Sequence, residues 1–160
     1  MNVTLHTNRG DITITLMGTD APNTVANFIK LAKSGSYDGT KFHRVIPGFM
    51  IQGGDPNSKD DSKMQEWGMG GPGYQFDDEI HANNRNEAGT IAMANAGPDT
   101  NGSQFFINVA NNAFLDDKHT VFGRVLAGMD VVQQIEQTPT GSNDRPLEPI
   151  VIERVEVSED

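Results

Sequence analysis

The sequence predicts a mainly β domain of antiparallel strands onto which two helices pack. Three observations carry that reading. Apolar and polar residues alternate with period two at both ends of the chain, apolar residues recur at helical spacing in two stretches, and elsewhere only short apolar runs occur, broken by Gly, Pro, Asn and Asp. At 160 residues the chain is expected to form one domain over 1–160, large enough to bury roughly two-thirds of the surface its unfolded form exposes.

Residues 3–16 alternate around Arg9-Gly10-Asp11, with Val3, Leu5, Ile12, Ile14 and Leu16 on one side, and so read as a hairpin with one buried face. Asp20 is the expected cap of the first helix. Pro22 falls in its first turn, Val25, Phe28, Ile29 and Ala32 form its inner face, and Gly35 stops it. From 37 to about 125 the short runs have the pattern of a barrel or a sandwich. A second helix is expected over 129–137, with Met129, Val132 and Ile135 facing inward. The tail PIVIERVEV reads as a last strand, Val151, Glu153 and Val155 on one face against Ile152, Arg154 and Glu156 on the other. The polar, glycine-rich stretch 55–73 reads as a long surface loop.

Twelve Lys+Arg against 22 Asp+Glu give a formal charge of −10, which repels phosphate backbones and anionic lipid, so neither nucleic acid nor a membrane is an expected partner. No run of 18 apolar residues and no basic, apolar leader is present, and no cysteine, so a soluble, unexported, cytoplasmic protein is expected.

Several motifs tempt and fail. Asp55, Asn57 and Glu66 occupy three calcium-loop positions, but Lys59 and Asp60 stand where an oxygen ligand and the turn glycine belong. Residues 68–73 spell GxGxxG, yet Pro72 interrupts it and no βαβ unit surrounds it. His6, His43, His81 and His119 lack metal-ligand spacing and are expected to be hydrogen-bonded structural residues; no metal or cofactor is expected.

Three segments mix apolar strand residues with isolated polar ones: FHRVIPGFMIQGGD (42–55), MANAGPDTNGSQFFINV (93–109) and FLDDKHTVFGRV (114–125). Period two places Gln104 and Phe106 on one strand face, Phe105 and Ile107 on the other, and likewise pairs Met50 with Gln52. In a core, Arg44, Gln52 and Gln104 would be costly without partners. An exposed, organised site explains them more simply.

Together with YDGTK before the first, these segments resemble the cyclophilin family of peptidyl-prolyl cis/trans isomerases over nearly the whole chain. The resemblance implies a closed eight-stranded antiparallel barrel capped by two α-helices, with a proline-binding groove on its outside. It implies that Arg44 is catalytic. Phe49, Met50, Phe106 and Leu115 would line the proline pocket with Phe114 and His119; Gln52 and Gln104 would flank the arginine; Ala94, Asn95 and Ala96 would hold substrate backbone, and Gly68, Gly70 and Gly71 would border the next subsite. Within 42–55, Pro47-Gly48 would turn the chain to present Phe49 and Met50, and Gly53-Gly54 would release it into the loop. Partners would be proline-containing peptides and unfolded or folding proteins, and no cofactor is called for.

Phe114 stands where many relatives carry tryptophan, so weak cyclosporin binding is expected for want of an indole N–H donor. The only tryptophan, Trp67, lies in the 55–73 loop, whose environment its fluorescence should report. Two rival readings use the same barrel: a non-catalytic proline-recognition or chaperone module, which needs the pocket but not the guanidinium, and an acidic structural domain with a vestigial groove. A closed barrel has no free sheet edge, which favours a monomer.

Overall fold

The computed structural model describes residues 1–159. Among them lie strands β1 (Asn2–Thr7), β2 (Gly10–Leu16), β3 (Arg44–Ile46), β4 (Met50–Gly53), β5 (Thr90–Met93), β6 (Phe105–Asn108), β7 (Val121–Ala127) and β8 (Ile152–Ser158), and helices α1 (Pro22–Lys33) and α2 (Met129–Glu136). The strands form one antiparallel sheet in the order β3-β4-β6-β5-β7-β2-β1-β8. The predicted class, hairpin and both helices are present.

The sheet curls round an apolar interior. Val3, Leu5, Ile12 and Ile14 from the hairpin, Ile51, Ile91 and Ile107 from the central strands, and Phe28 of α1 are all fully buried there. Phe28 is the hub, its ring centroid 5.0 Å from Tyr37, 5.5 Å from Phe105 and 5.2 Å from Phe122. Burying such a ring contributes roughly 1.5–3 kcal/mol. α1 packs near β8, and α2 packs against β2, β3 and β4.

Three expectations are corrected. First, Asp20 does not cap α1: Ala21 is the N-cap residue, and Asp20 Oδ2 accepts from Asn83 Nδ2 at 3.2 Å. The carboxylate of Glu79 caps the helix instead, accepting from the backbone N–H groups of Asn23 at 3.2 Å and Thr24 at 2.6 Å, and from the Thr24 hydroxyl at 2.7 Å. An anion at a helix N-terminus satisfies orphan donors and complements the dipole whichever segment supplies it.

Second, β8 does not alternate throughout. Thr7 pairs with Ile152 and His6 with Arg154, so Glu153 is an extra residue at a bulge. The bulge shifts the phase. Ile152 enters the core, Glu153 and Arg154 both face solvent, and Val155 and Val157 pack inward.

Third, the sheet is an open, curled half-barrel and not a closed ring. Among the described residues β3 and β8 form no ladder with each other. Residues ahead of β3 instead meet the start of β8 and the residues before it: Phe42 N–H donates to Ile150 C=O at 3.0 Å, Ile152 N–H to Thr40 C=O at 2.8 Å, and Gly39 N–H to Ile152 C=O at 2.7 Å. The end strands cannot extend this stitching. β3 spans only three residues before Pro47, and Pro146 and Pro149, on the approach to β8, have no N–H to donate.

Candidate active site

The ladder register sorts the central strands into two transverse rows. Val45, Ile51, Ile107 and Ile91 follow one another across β3, β4, β6 and β5 and point into the core, with Gly123 of β7 next in the row; the adjacent row, Arg44, Gln52, Phe106, Ala92 and Val121, points outward. Period-two geometry makes the second face follow from the first. Met50, Ala92, Phe106, Leu115 and Val121 form a second apolar cluster on that outer side, with Phe49 and Ala94 packed against it.

Above this cluster lies a groove of about 260 Å³ lined by Arg44, Phe49, Met50, Gln52, Ala94, Asn95, Phe106, Leu115 and His119. A larger one of about 600 Å³ adjoins it, shares Gln52, Ala94 and Asn95, and adds Ala96, Gln104 and the 68–75 segment, including Gly68, Gly70 and Gly71. Of the predicted residues, Phe114 lies outside both. It is 68% exposed and stacks on Phe49 at 5.8 Å, so it forms the rim and not the wall.

Local sequence explains the presentation. Phe49 N–H donates to Ile46 C=O at 3.0 Å across Pro47-Gly48, and Gly48 has φ +74°. Proline at the second position with positive φ at the third is a type II turn, which glycine alone adopts without strain. The turn sets Phe49 at the groove edge and starts β4 at Met50. Gly54 does more than release the strand: at φ +89° a Cβ there would lie 2.7 Å from Ser103 O and 2.9 Å from the Phe105 ring.

Arg44 is exposed and held by a one-way chain of hydrogen bonds. Its Nη1 donates to Gln52 Oε1 at 3.2 Å, Gln52 Nε2 to Gln104 Oε1 at 3.0 Å, and Gln104 Nε2 to Gly70 C=O at 2.9 Å. The fully buried Asp55 holds the far end: its carboxylate accepts from the N–H groups of Asn57 at 2.8 Å, Gly68 at 2.5 Å and Gly70 at 3.3 Å. The 55–73 segment is therefore an anchored element with two short 3-10 turns, Pro56–Lys59 and Asp61–Glu66, that borders the groove.

His119 Nδ1 lies 2.8 Å from Met93 C=O, which makes Nδ1–H the donor there, and the ring meets Phe106 edge-on at 5.3 Å. The Asn95 side chain is held at both ends, Nδ2 donating to Lys118 C=O at 2.8 Å and Oδ1 accepting from Gly97 N–H at 3.2 Å. Among the described residues the main-chain N–H and C=O of Asn95 have no partner, so its backbone is free for a peptide.

Sequence reasoning missed the asparagines behind the pocket. Asn112 Nδ2 donates to Phe49 C=O at 2.9 Å and to Asn108 Oδ1 at 2.8 Å, fastening the turn Ala113–Leu115 to the pocket rim. Asn84 donates to the carbonyls of Asp116 at 2.7 Å and His119 at 2.9 Å, and accepts from Val121 N–H at 2.8 Å. A buried asparagine has no spacing that announces its role; only its partners do.

His6, His81 and His119 are hydrogen-bonded as expected. His43 is the exception, 5% exposed with neither ring nitrogen partnered among the described residues. Burial lowers its pKa below the usual 6.5, opposed by the nearby Asp55 carboxylate. Among the described residues no three His, Asp or Glu side chains gather closely enough to hold a metal ion.

Residues 2–157 match the family model described as cyclophilin type peptidyl-prolyl cis-trans isomerase/CLD. The chain is 50% identical to peptidyl-prolyl cis-trans isomerase A of Mycobacterium tuberculosis, the match covering 97% of this chain and 91% of that one. It is 50% identical to peptidyl-prolyl cis-trans isomerase ppi1 of Schizosaccharomyces pombe, over 94% and 95% of the two chains. A crystal structure of a cyclophilin-type isomerase from Cryptosporidium parvum, determined in the presence of the dipeptide Ala-Pro, superposes with a TM-score of 0.90 at 34% identity and covers 100% of both chains.

Proposed function

The chain belongs to the cyclophilin-type peptidyl-prolyl cis-trans isomerase family, and from that premise we propose how its residues turn an X-Pro bond and so assist protein folding. The single feature that supports the reading most is Arg44, an exposed guanidinium fixed beside an apolar pocket floor of Met50, Phe106 and Leu115.

Resonance gives the X-Pro C–N bond a rotation barrier of roughly 18–20 kcal/mol. No covalent bond has to break. In the twisted transition state the proline nitrogen regains a localised lone pair and can accept a hydrogen bond that the planar amide cannot. Arg44 offers a permanent cation with donors in a rigid fork. Phe49, Met50, Phe106, Leu115 and His119 would grip the pyrrolidine ring while the acyl side rotates, and the free backbone of Asn95, between Ala94 and Ala96, would hold the substrate's main chain.

A charge-assisted hydrogen bond contributes about 1.5–3 kcal/mol, whereas a gain of about 10⁵ in rate needs roughly 7 kcal/mol off the barrier. The balance falls to the pocket and to preorganisation of Arg44 by Gln52 and Gln104, which reduces reorganisation during rotation.

The natural partners on this reading are proline-containing peptides and folding proteins, and the protein acts in the cytoplasm and binds cyclosporin weakly; the open sheet, ending at β3 and β8, removes the closed-barrel reason for expecting a monomer. Among the described residues no helix is long and apolar enough to cross a membrane. The test is cis/trans exchange of an Ala-Pro peptide by NMR, wild type beside Arg44→Ala. Acceleration by the wild type, largely lost in the variant, is the expected result. Peptide binding without faster exchange would make the groove a proline-recognition module.

A further inference from the structure

A polar cavity of about 450 Å³ lies on another side of Arg44 from the proline groove, between the 65–68 segment and the turn at 142–145. Arg44, Gln52, His43, Trp67, Asp144 and Arg145 contribute to its lining. Arg44 and Gln52 also line the proline groove, so a bound peptide can run from one into the other.

The cavity is cationic in a chain whose net charge is −10. Arg44 and Arg145 line it against one carboxylate, Asp144, and among the described residues neither arginine is in an ion pair. Arg145 Nη2 donates to Met64 C=O at 2.9 Å and its guanidinium lies 5.0 Å from the Trp67 ring centroid, while its buried Nε has no partner among the described residues. The nine-tenths-buried His43 lines the same cavity with both ring nitrogens unpartnered. Polar groups so buried normally have partners.

The turn presenting Arg145 is built at some conformational cost. Asn143 and Asp144 are consecutive non-glycine residues in the left-handed region, at φ +60° and +57°, and such strain persists only where its surroundings hold it. Gly141 N–H donates to Arg145 C=O at 2.8 Å, and Arg145 N–H to Ser142 C=O at 3.3 Å.

We propose that this cavity is a specificity subsite for an acidic side chain of the substrate, Asp or Glu a few residues from the proline, with Arg145 as its principal partner. The proposal rests on the isomerase reading. The carboxylate would meet the Arg145 fork, with Arg44 adding attraction from the proline side and His43 available as a neutral hydrogen-bonding wall. Asp144 opposes an anion and so favours a single carboxylate over a doubly charged group.

The test uses alanine-rich hexapeptides with one proline, carrying Glu or its uncharged isostere Gln two positions before or two positions after it. At one of the two positions Glu is expected to raise kcat/KM over Gln by about three- to fivefold, the gain of a partly solvated ion pair. That ratio should fall to near one in Arg145→Gln, persist in part in Arg145→Lys, and shrink in 1 M salt, where charges are screened within about 3 Å. The Glu peptide should also alter Trp67 emission. Glu no better than Gln at both positions, or a preference that survives Arg145→Gln, would overturn the proposal. Failure of the wild type to accelerate cis/trans exchange in any of these peptides, Glu or Gln, would overturn the isomerase reading beneath it.

Discussion

The side chains of Gln52 and Gln104 meet end to end, Gln52 Nε2–H donating to Gln104 Oε1 at 3.0 Å. Each amide spends its oxygen on the group before it and its NH₂ on the group after it, so the chain from Arg44 to Gly70 has one direction. Neither amide can flip without placing donor against donor. Arg44 is in this way oriented, through two amides, by the loop that presents Gly70.

Truncating one amide should therefore reach the guanidinium. Gln104→Ala leaves Gln52 without its acceptor and Gly70 without its donor, and kcat/KM is expected to fall by roughly tenfold, the value of about one hydrogen bond. NMR exchange on an Ala-Pro peptide measures it. An unchanged rate would mean that Arg44 needs no such support.

Asp55→Asn replaces a triple acceptor by a group whose NH₂ must face backbone N–H donors of the loop. We expect a loss of about 2–3 kcal/mol in stability, read from the urea midpoint, since the lost bonds are charge-assisted and buried. Trp67, whose indole Nε1 donates to Asp60 C=O at 3.1 Å within the same segment, should shift its emission.

His43 makes stability depend on pH in a predictable direction. Its pKa is lowered in the folded protein by burial, so the unfolded chain takes up a proton near 6.5 that the folded chain refuses. Stability from this group is complete above that value and is lost as pH falls toward the depressed folded pKa. Asp55 draws that pKa up while Arg44 and Arg145 push it down. Denaturation midpoints between pH 7.5 and 5 should decline less steeply in His43→Gln than in wild type; parallel curves would refute the assignment.

On the proposed reading Phe114 would offer cyclosporin a ring but no donor, from a rim position 68% exposed and stacked on Phe49. Phe114→Trp keeps the stacking and adds an indole N–H, so affinity by calorimetry is expected to rise by roughly tenfold, with one hydrogen bond gained. Nanomolar binding by the wild type would show that the missing donor is immaterial.

The parts of the molecule that were legible in the sequence are those governed by near neighbours. Alternation in residues 3–16 and 104–107 assigns core and outer faces because a strand reverses its side chains at each step. Pro47-Gly48 specifies its turn because proline fixes φ near the value the second position needs and glycine reaches the positive φ of the third without strain, and the same freedom lets Gly35, at φ +78°, end α1. The family motifs supplied Arg44 and most of the groove at once, since Arg44, Gln52 and Phe106 share a single register row.

Other features depend on which distant segments meet. Glu79, and not the adjacent Asp20, caps α1; Glu153 bulges out of β8 opposite His6 and Thr7; β3 and β8 stop short of a ladder; Asn95 spends its amide on Lys118; and His43 is buried beside Asp55 with neither nitrogen paired. By itself the sequence determined local conformation and the chemical inventory, because backbone preferences and side-chain period act over a few residues. Tertiary structure decided the partners, because a donor bonds the acceptor that packing brings within about 3 Å, however far away in the chain that acceptor lies.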